Sequence, residues 1–220
     1  SEMGKAGVSI ERLCYIMNSS IEQDKEDAVT PNMREDIVFE NVSFAYGEEP
    51  ILKNISFTIP KGSTFGILGS TGSGKSTLMY LLNRLYDLPK ENGQITIGGV
   101  DVADMKGEWV RSNIGMVLQE PFLFSRTIRE NIGITKEGMS LSDIRKAAAI
   151  ACIDDSVMEF TKGYDTLVGE RGVTLSGGQK QRTAIARMLT QKTPIMVFDD
   201  SLSAVDADTD ARIREELKKN

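Results

Sequence analysis

The 220-residue sequence contains no histidine, only two cysteines and six prolines, and its aromatic fraction is 6%. The absence of histidine excludes histidine catalysis and histidine–metal sites within the chain. Two cysteines, Cys14 and Cys152, form no disulfide framework, which favours a reducing compartment. No apolar stretch approaches the roughly 20 residues that span a bilayer, and the first ten residues lack the apolar core of a signal peptide. We therefore expect this chain itself to be soluble.

Composition and charge narrow the classes of protein further. Hydrophobic residues make up 40% of the chain and charged residues 26%, which is typical of a globular domain and argues against disorder. The formal net charge of −6 argues against a broad nucleic-acid-binding surface. The length is enough for one large domain, or for a core with a lobe attached.

Hydrophobic periodicity predicts strands that alternate with helices. Two stretches with alternating apolar residues and a closing glycine, 37–47 and 51–62, predict neighbouring strands. Further strands are predicted at 64–69, within 94–102, at 114–118 and at 194–198. Helices are predicted at 76–87, within 127–160, at 177–191 and at 207–220, with a short amphipathic stretch at 7–18 and a polar linker at 19–32. This order predicts an α/β core with extra strands at its N-terminal end and a helical insertion in the middle.

The sequence GSTGSGKS at residues 69–76 fits the pattern G-x-x-x-x-G-K-[ST] between a predicted strand and a predicted helix. Its glycines allow the backbone to fold tightly enough for several N–H groups to face one anion. Lys75 can reach the outer phosphates of a nucleotide and Ser76 can offer its hydroxyl to Mg²⁺, while the start of the helix favours negative charge. The alternative is a glycine-rich turn with an incidental lysine. We predict that a nucleoside triphosphate is bound by Gly69, Ser70, Thr71, Gly72, Ser73, Gly74, Lys75, Ser76 and Thr77.

Two aspartates, Asp199 and Asp200, follow the apolar run PIMVF. Such a continuous run is expected of a strand covered on both faces, and ligands of parallel sheets bind outside the carboxyl ends of the strands. We predict that Asp199 holds the metal through water and that Asp200 orients or deprotonates the attacking water. The alternative is a solvated Asp-Asp turn.

Together with LSGGQ at residues 175–179, these motifs resemble the nucleotide-binding domain of an ABC transporter of the exporter type. The resemblance covers about residues 35–215. It implies a P-loop NTPase (RecA-like) core with a mainly parallel sheet, an N-terminal antiparallel β subdomain and an inserted helical subdomain at about residues 120–178. LSGGQ is the family signature, and its glycines would open a helix whose bare N–H groups can meet a phosphate. The alternative is a Gly-Gly helix start with no ligand.

The resemblance also implies how the signature is used. It would contact ATP held by a second domain, so that two domains enclose two ATP molecules head to tail. The signature residues are Leu175, Ser176, Gly177, Gly178 and Gln179.

Other residues take their expected roles from the same resemblance. Tyr46 would stack on adenine, or would simply end a strand, and Gln119 would touch Mg²⁺ and the attacking water and sense the membrane domain. Glu170, in GERG, would contact the coupling helices of that membrane domain. The loop that crosses the dimer interface, the D-loop, would be Ser203, Ala204, Val205 and Asp206. Residues 1–34 resemble the linker from an upstream transmembrane domain, and 35–220 the ATP-binding domain.

Asp200 departs from the family pattern, in which glutamate usually follows the metal-site aspartate. Aspartate is shorter by one carbon–carbon bond, about 1.5 Å, and a misplacement of about 1 Å can cost roughly 100-fold in rate. Exporters built from two different halves often carry such an aspartate in the half whose signature is intact. We therefore predict a slow, ATP-holding site in a heterodimer; a homodimer that tolerates aspartate is the alternative.

The family's switch histidine has no counterpart, because the sequence contains no histidine. We expect that the C-terminal part of the ATP-binding domain is missing and that this chain alone binds ATP and Mg²⁺ but hydrolyses ATP weakly or not at all. The resemblance implies a place at the cytoplasmic face of the cell membrane, without nucleic acid. Three functions compete: the ATPase subunit of an exporter, a nucleotide-gated dimerisation module with negligible hydrolysis, and a soluble ABC ATPase of DNA repair or translation.

Overall fold

The computed structural model describes residues 14, 17–18, 22–136, 138–169, 174–200 and 207–219. Glu170 and the predicted D-loop residues Ser203–Asp206 lie outside the described residues, as does most of the amphipathic stretch 7–18. The described strands are β1 (Ile37–Tyr46), β2 (Glu49–Ile59), β3 (Gln94–Ile97), β4 (Val100–Asp101), β5 (Ile114–Val117) and β6 (Ile195–Phe198). The described helices are α1 (Lys75–Leu82), α2 (Gly107–Asn113), α3 (Ile128–Gly133), α4 (Leu141–Ile150), α5 (Asp154–Met158), α6 (Gly177–Thr190) and α7 (Ala207–Lys219).

The first four strands form one antiparallel sheet in the order β2-β1-β3-β4. Alternating residues of β1 and β3 face the interior, because successive side chains of a strand point to opposite faces. Phe39, Val42, Ile95 and Ile97 are at most 1% exposed. The ring of Phe39 stacks on Phe57 of the neighbouring strand at 4.4 Å between centroids. The predicted antiparallel β subdomain is confirmed.

Strands β5 and β6 form a parallel pair in which Val117 lies opposite Phe198. Their carboxyl ends therefore meet at one edge, as the sequence predicts. Gly115 allows helix α6 to approach β5 closely: a Cβ at this position would lie 2.6 Å from both Met188 Cγ and Thr193 Oγ1. Any larger residue at this position would have to displace these side chains.

The strand predicted at residues 64–69 is not formed. A strand needs a neighbour to satisfy its backbone groups, and none of the strands in the described part of the chain pairs with this segment. Part of this segment faces solvent, since Leu68 is 98% exposed and Phe65 is 43% exposed. The apolar pattern alone could not reveal that the pairing is absent.

Helices α3, α4 and α5 lie within the region where the sequence predicts a helical insertion, and they share a core with α6. A capping box between Thr127 and Glu130 begins α3, and the Ser140 side chain caps α4. The helix predicted at 76–87 ends earlier, at Leu82, because Arg84 adopts a left-handed backbone with φ 51°. Within the described residues, no helix is both long and apolar enough to cross a membrane.

The region predicted as a polar linker is packed against the body of the protein from residue 22 onward. We call residues 22–33 the docked segment. Asp24 Oδ1 accepts hydrogen bonds from the Gly107 N–H at 2.9 Å and from Arg84 NH1 at 3.0 Å. Further contacts join Glu22 to Arg111, Lys25 to Asp104, Val29 to Asp104 and Lys106, and Pro31 to Trp109.

The docked segment also has an apolar anchor, since Met33 is only 2% exposed. Arg84, which stands just beyond the end of α1, also donates to the Met105 carbonyl. The docked segment is thus bonded to a residue that terminates the helix following the phosphate loop.

Candidate functional site

The predicted phosphate loop connects the extended segment before it to helix α1, which begins at Lys75. Gly74 is the residue before the helix and adopts φ 88°, which only glycine adopts readily. A Cβ there would also lie 2.6 Å from Leu52 Cδ2, so the loop packs tightly on β2. Gly74 offers no side-chain acceptor and the first turn of α1 has no acidic residue. The N–H groups of that turn are therefore available to an external anion.

The Lys75 side chain folds back over the loop. Its Nζ donates to the carbonyl oxygens of Gly69 at 2.8 Å and Ser70 at 2.9 Å. The Ser73 N–H donates to the Ser70 carbonyl at 3.2 Å and closes the turn. The loop thus holds a fixed positive charge at the start of a helix, the arrangement that suits a phosphate group.

Tyr46 lies at the end of β1, beside the first turn of α1. Its hydroxyl is 3.4 Å from Thr77 Oγ1, and its ring meets those of Phe44 and Tyr86 edge-on, each at 5.1 Å between centroids. Because the residue is 41% exposed, part of the ring is open to a ligand. The structure therefore places an aromatic group next to the phosphate loop.

Asp199 and Asp200 follow β6, as predicted, but their backbones differ. The Asp199 N–H donates to the Val117 carbonyl at 2.9 Å, and the residue is half-buried. Asp200 is exposed and adopts a left-handed backbone with φ 48°, so the chain turns directly after Asp199. Aspartate tolerates this conformation better than most residues.

Electrostatics link Asp199 to the helix that follows the phosphate loop. Burial raises the pKa of Tyr80, a residue of α1, and the negative charge of Asp199 raises this pKa further. The effect requires the carboxylate and the phenol to lie near each other, since such interactions fade with distance. The negative charge of Asp199 therefore acts on α1, the helix that begins at Lys75.

Gln119 lies two residues beyond β5, at the same sheet edge as Asp199. The residue is exposed, and its carbonyl oxygen accepts a hydrogen bond from Gln181 Nε2 at 2.9 Å. Oxygen ligands suit Mg²⁺, which proteins commonly hold through one or two carboxylates together with substrate phosphates. Ser76, Gln119 and Asp199 supply a hydroxyl, an amide and a carboxylate oxygen, so the residues present fit this ion. Within the described residues, no cluster of three or more His, Cys, Asp or Glu side chains could hold a metal alone.

Helix α6 begins within the signature. Ser176 is the N-cap: its Oγ accepts from the Gln179 N–H at 3.2 Å, while Gln179 Oε1 accepts from the Ser176 N–H at 2.9 Å. Leu175 is buried and anchors the chain before the cap. Gly177 and Gly178 carry no side chain over the helix start, and the first turn contains no acidic residue. The Ser176 cap thus satisfies the Gln179 N–H, and the N–H groups of Gly177 and Gly178 lie at a helix start, which favours negative charge.

The signature and the phosphate loop are not joined to each other. In the described ranges, no hydrogen bond or ion pair connects residues 174–179 with residues 69–77. The Tyr46 hydroxyl lies 3.4 Å from Thr77 Oγ1 in the helix that follows the phosphate loop, whereas the signature begins a different helix, α6.

Sequence reasoning missed the side chains that hold the loops of the site in place. Gln181 and Arg187 of α6 bond to the main chain of residues 119, 122 and 131, and Arg84 bonds to the docked segment. No local pattern marks these residues, because their partners lie 56 to 65 positions away in sequence. The only available hint is that Gln181 and Arg187 fall in the run that directly continues the signature.

Comparisons with known proteins agree with this geometry. The family profile described as ABC transporter matches residues 52–203. The leukotoxin translocation ATP-binding protein LktB of Mannheimia glucosida is 43% identical over 98% of this chain, and its counterpart in a Pasteurella haemolytica-like species (strain 5943B) is 42% identical over the same share. The chain spans 30% of the length of each of these relatives.

A solved structure described as a bacterial Atm1-family ABC exporter with ATP bound has the same fold, with a TM-score of 0.88 and 37% identity. The match covers 98% of this chain and 38% of that one. The predicted P-loop NTPase fold is thereby confirmed. With its phosphate loop, signature helix and paired aspartates in family order, the chain belongs to the ABC transporter family and is one of its ATP-binding domains.

Proposed function

We propose that this chain binds and hydrolyses ATP to power transmembrane export. The observation that carries the proposal is the glycine-rich loop before α1, where Lys75 bonds to the carbonyls of Gly69 and Ser70 and the Tyr46 hydroxyl lies 3.4 Å from Thr77 Oγ1. The similarity to LktB and to an Atm1-family exporter supports export rather than DNA repair or translation.

Each residue of the site has a distinct task in this proposal. The loop N–H groups and Lys75 bind the β- and γ-phosphates, and Tyr46 stacks on the adenine. Ser76, Asp199 and Gln119 hold Mg²⁺ directly or through water, and the ion would neutralise charge on the transferred phosphoryl group. Asp200 accepts the proton of the attacking water, which Gln119 helps to orient.

The expected partners follow from the resemblance of residues 175–179 to the family signature. A second ATP-binding domain would place its own phosphate loop against residues 175–179, so that each ATP is enclosed by both domains. The relatives matched are about three times as long as this chain. We propose that a transmembrane domain precedes it in the whole protein and that Glu170 and the D-loop residues 203–206 contact the partners. The chain then lies at the cytoplasmic face of the membrane.

Aspartate at position 200 should give slower ATP hydrolysis than glutamate would. Its side chain is about 1.5 Å shorter than that of glutamate, and a carboxylate that stops short of the water cannot take its proton efficiently. We propose that this chain's own site holds ATP and that its intact signature completes a faster site on a different partner. Nucleotide-gated dimerisation with negligible hydrolysis is the second candidate, and the same aspartate favours it.

Steady-state ATPase measurements on the whole protein without its proposed partner test the proposal, because only this chain's own site then contributes to turnover. Wild type, Asp200→Glu and Lys75→Ala are compared at equal concentration. We expect Asp200→Glu to raise turnover at least tenfold and Lys75→Ala to abolish it. Brisk wild-type turnover that glutamate leaves unchanged would show that aspartate is a competent base, and a rate independent of Lys75 would refute the assigned site.

A further inference from the structure

Helix α6 carries two side chains that hold the loop after β5, which we call the β5–α3 loop (residues 118–127). Gln181 Nε2 donates to the Gln119 carbonyl at 2.9 Å, and Arg187 NH1 donates to the Phe122 carbonyl at 2.9 Å. The helix that begins at the signature is therefore bonded directly to the residue expected to touch Mg²⁺ and water.

Arg187 and Asn131 fix the far part of this loop. Arg187 donates from Nε to the Asn131 carbonyl at 2.8 Å and from NH2 to Asn131 Oδ1 at 3.0 Å. Asn131 is fully buried, and its side chain in turn binds both the N–H and the carbonyl of Phe124. These bonds form a structural network inside the helical region.

Gln181 stands alone at the near part of the loop. Within the described residues, no other side-chain hydrogen bond to residues 118–121 joins them to α6. The Gln181 side chain is only 4% exposed, and its Oε1 has no hydrogen-bond partner among the described residues. A buried acceptor left unpaired is a cost to stability. Stability therefore does not explain an amide at this position, whereas the bond to Gln119 does.

The position of Gln181 lets it link two parts of the proposed machinery. Ser176, the N-cap of α6, lies five residues earlier, about 7.5 Å along the helix axis. Gln119 lies two residues beyond Val117, whose carbonyl accepts from the Asp199 N–H. A shift of the signature end of α6 relative to the β5–β6 edge must therefore stretch the bond from Gln181 to Gln119 or move Gln119 with it.

We propose that Gln181 is a positioning residue that couples the signature helix to Gln119. Through this amide, at the near part of the loop, the state of the chain's own phosphate site is transmitted to the signature offered to the partner's nucleotide. The coupling is reciprocal, so engagement of the signature also biases Gln119. The inference rests on the proposed function, since it assumes that a nucleotide occupies the phosphate loop.

Hydrogen–deuterium exchange on the 220-residue chain tests the coupling without requiring hydrolysis. The probe is the non-hydrolysable analogue AMP-PNP with Mg²⁺, at a concentration where light scattering shows a monomer, so that no partner protects the signature. Gln181→Met removes the amide but keeps the length of the side chain. The matched control is Thr183→Val, which removes only a bond within α6, from Thr183 Oγ1 to the Gln179 carbonyl at 2.7 Å.

We expect the analogue to slow exchange at residues 69–77 in all three proteins. At residues 174–181 it changes exchange in wild type and in Thr183→Val, and we expect this change to be at least about threefold smaller in Gln181→Met. An equal response in Gln181→Met, or no response at 174–181 in wild type, would overturn the coupling. No slowing at 69–77 in wild type would instead refute the nucleotide site, and the coupling with it.

A double-mutant cycle in the ATPase assay adds a second readout. If Gln181 acts through Gln119, Gln181→Met lowers kcat about tenfold with little change in KM, and adding it to Gln119→Ala causes no further loss. Additive losses in the double variant would contradict the proposed route. The melting temperature of Gln181→Met should stay close to that of wild type, because removing an unpaired buried oxygen offsets the loss of the bond to the exposed Gln119.

Discussion

The Asp199 N–H donates to the Val117 carbonyl at 2.9 Å, which extends the pairing of β5 and β6 one residue beyond β6. This bond fixes the position of Asp199 along the strand direction relative to the β5–α3 loop. Because Gln119 lies only two residues past Val117, the two candidate metal-site residues share one rigid platform. Positioning of this kind, rather than covalent chemistry, is what phosphoryl transfer requires of a protein.

Replacing Lys75 by alanine should remove nucleotide binding while leaving the fold intact. Among the described residues, its Nζ bonds to the carbonyls of Gly69 and Ser70, and the side chain is not part of either hydrophobic core cluster. We expect ATP affinity to fall by at least about tenfold, since hydrogen bonds to charged groups are worth roughly 1.5–3 kcal/mol. Isothermal titration with ATP and Mg²⁺ measures the loss. Lys53→Ala, at an exposed position of β2, is the matched control and should bind like wild type.

Gly74→Ala should be more destabilising than alanine at another left-handed glycine. Gly74 and Gly62 adopt φ 88° and 72°, so alanine costs about 1–2 kcal/mol at either position from the backbone alone. Only at Gly74 does the new Cβ collide, at 2.6 Å from Leu52 Cδ2, which adds about 1–3 kcal/mol. Urea unfolding of the two variants compares the costs. Equal losses would show that the loop relaxes away from β2.

Loss of the Asp24 carboxylate should release the docked segment. Asp24→Ala leaves the nearly buried Arg84 side chain with only a carbonyl partner and leaves the Gly107 N–H unpaired. We expect the melting temperature to fall by about 2–4 °C and Asp24→Asn to lose less, because its amide oxygen still accepts. Lys61→Ala breaks an exposed ion pair with Glu35 and should change the melting temperature by less than about 1 °C. Indistinguishable values for the Asp24 and Lys61 variants would contradict a specific role for Asp24.

Lowering the pH should reduce the free energy of unfolding, because Asp154 becomes protonated. The hydrogen bonds from Arg145 hold the pKa of Asp154 below its ordinary value of 3.8, and the Tyr164 hydroxyl, 2.5 Å away, acts in the same direction. The unfolded carboxyl therefore binds protons more readily than the folded one. Its contribution to stability is complete above about pH 5 and is lost as the pH falls through the folded pKa.

The matched variant for this prediction is Asp154→Asn, which does not titrate. At pH 7 it should be less stable than wild type by about 1–3 kcal/mol, and the difference should shrink below pH 3.8. Urea unfolding between pH 3 and pH 7 measures both curves. A difference that stays constant with pH would show that the carboxylate charge contributes nothing.

The sequence predicted the parts of the site that are encoded locally. The helix that follows the glycine-rich loop, the helix that begins at Gly177, and the placement of Asp199 after β6 all depend on residues within a few positions of one another. The two long strands were equally predictable, because their alternation of apolar residues extends over ten or more positions.

What the sequence could not predict depends on distant partners. The apolar segment 64–69 reads as a strand, yet a strand exists only if another pairs with it. The polar docked segment reads as a linker, but Asp24 bonds to Arg84 and Gly107, which lie 60 and 83 residues away. The bond from Gln181 to Gln119 spans 62 residues. Contacts of this range need the fold before they can be recognised.

The folded-back Lys75 has a consequence for selectivity. Its ammonium already binds two carbonyl oxygens of the loop, so an incoming anion must compete with them for the same donors. A weakly charged ion such as chloride gains too little to displace both, whereas a polyphosphate meets the ammonium and several backbone N–H groups at once. These bonds should therefore favour polyphosphates over common cellular monoanions.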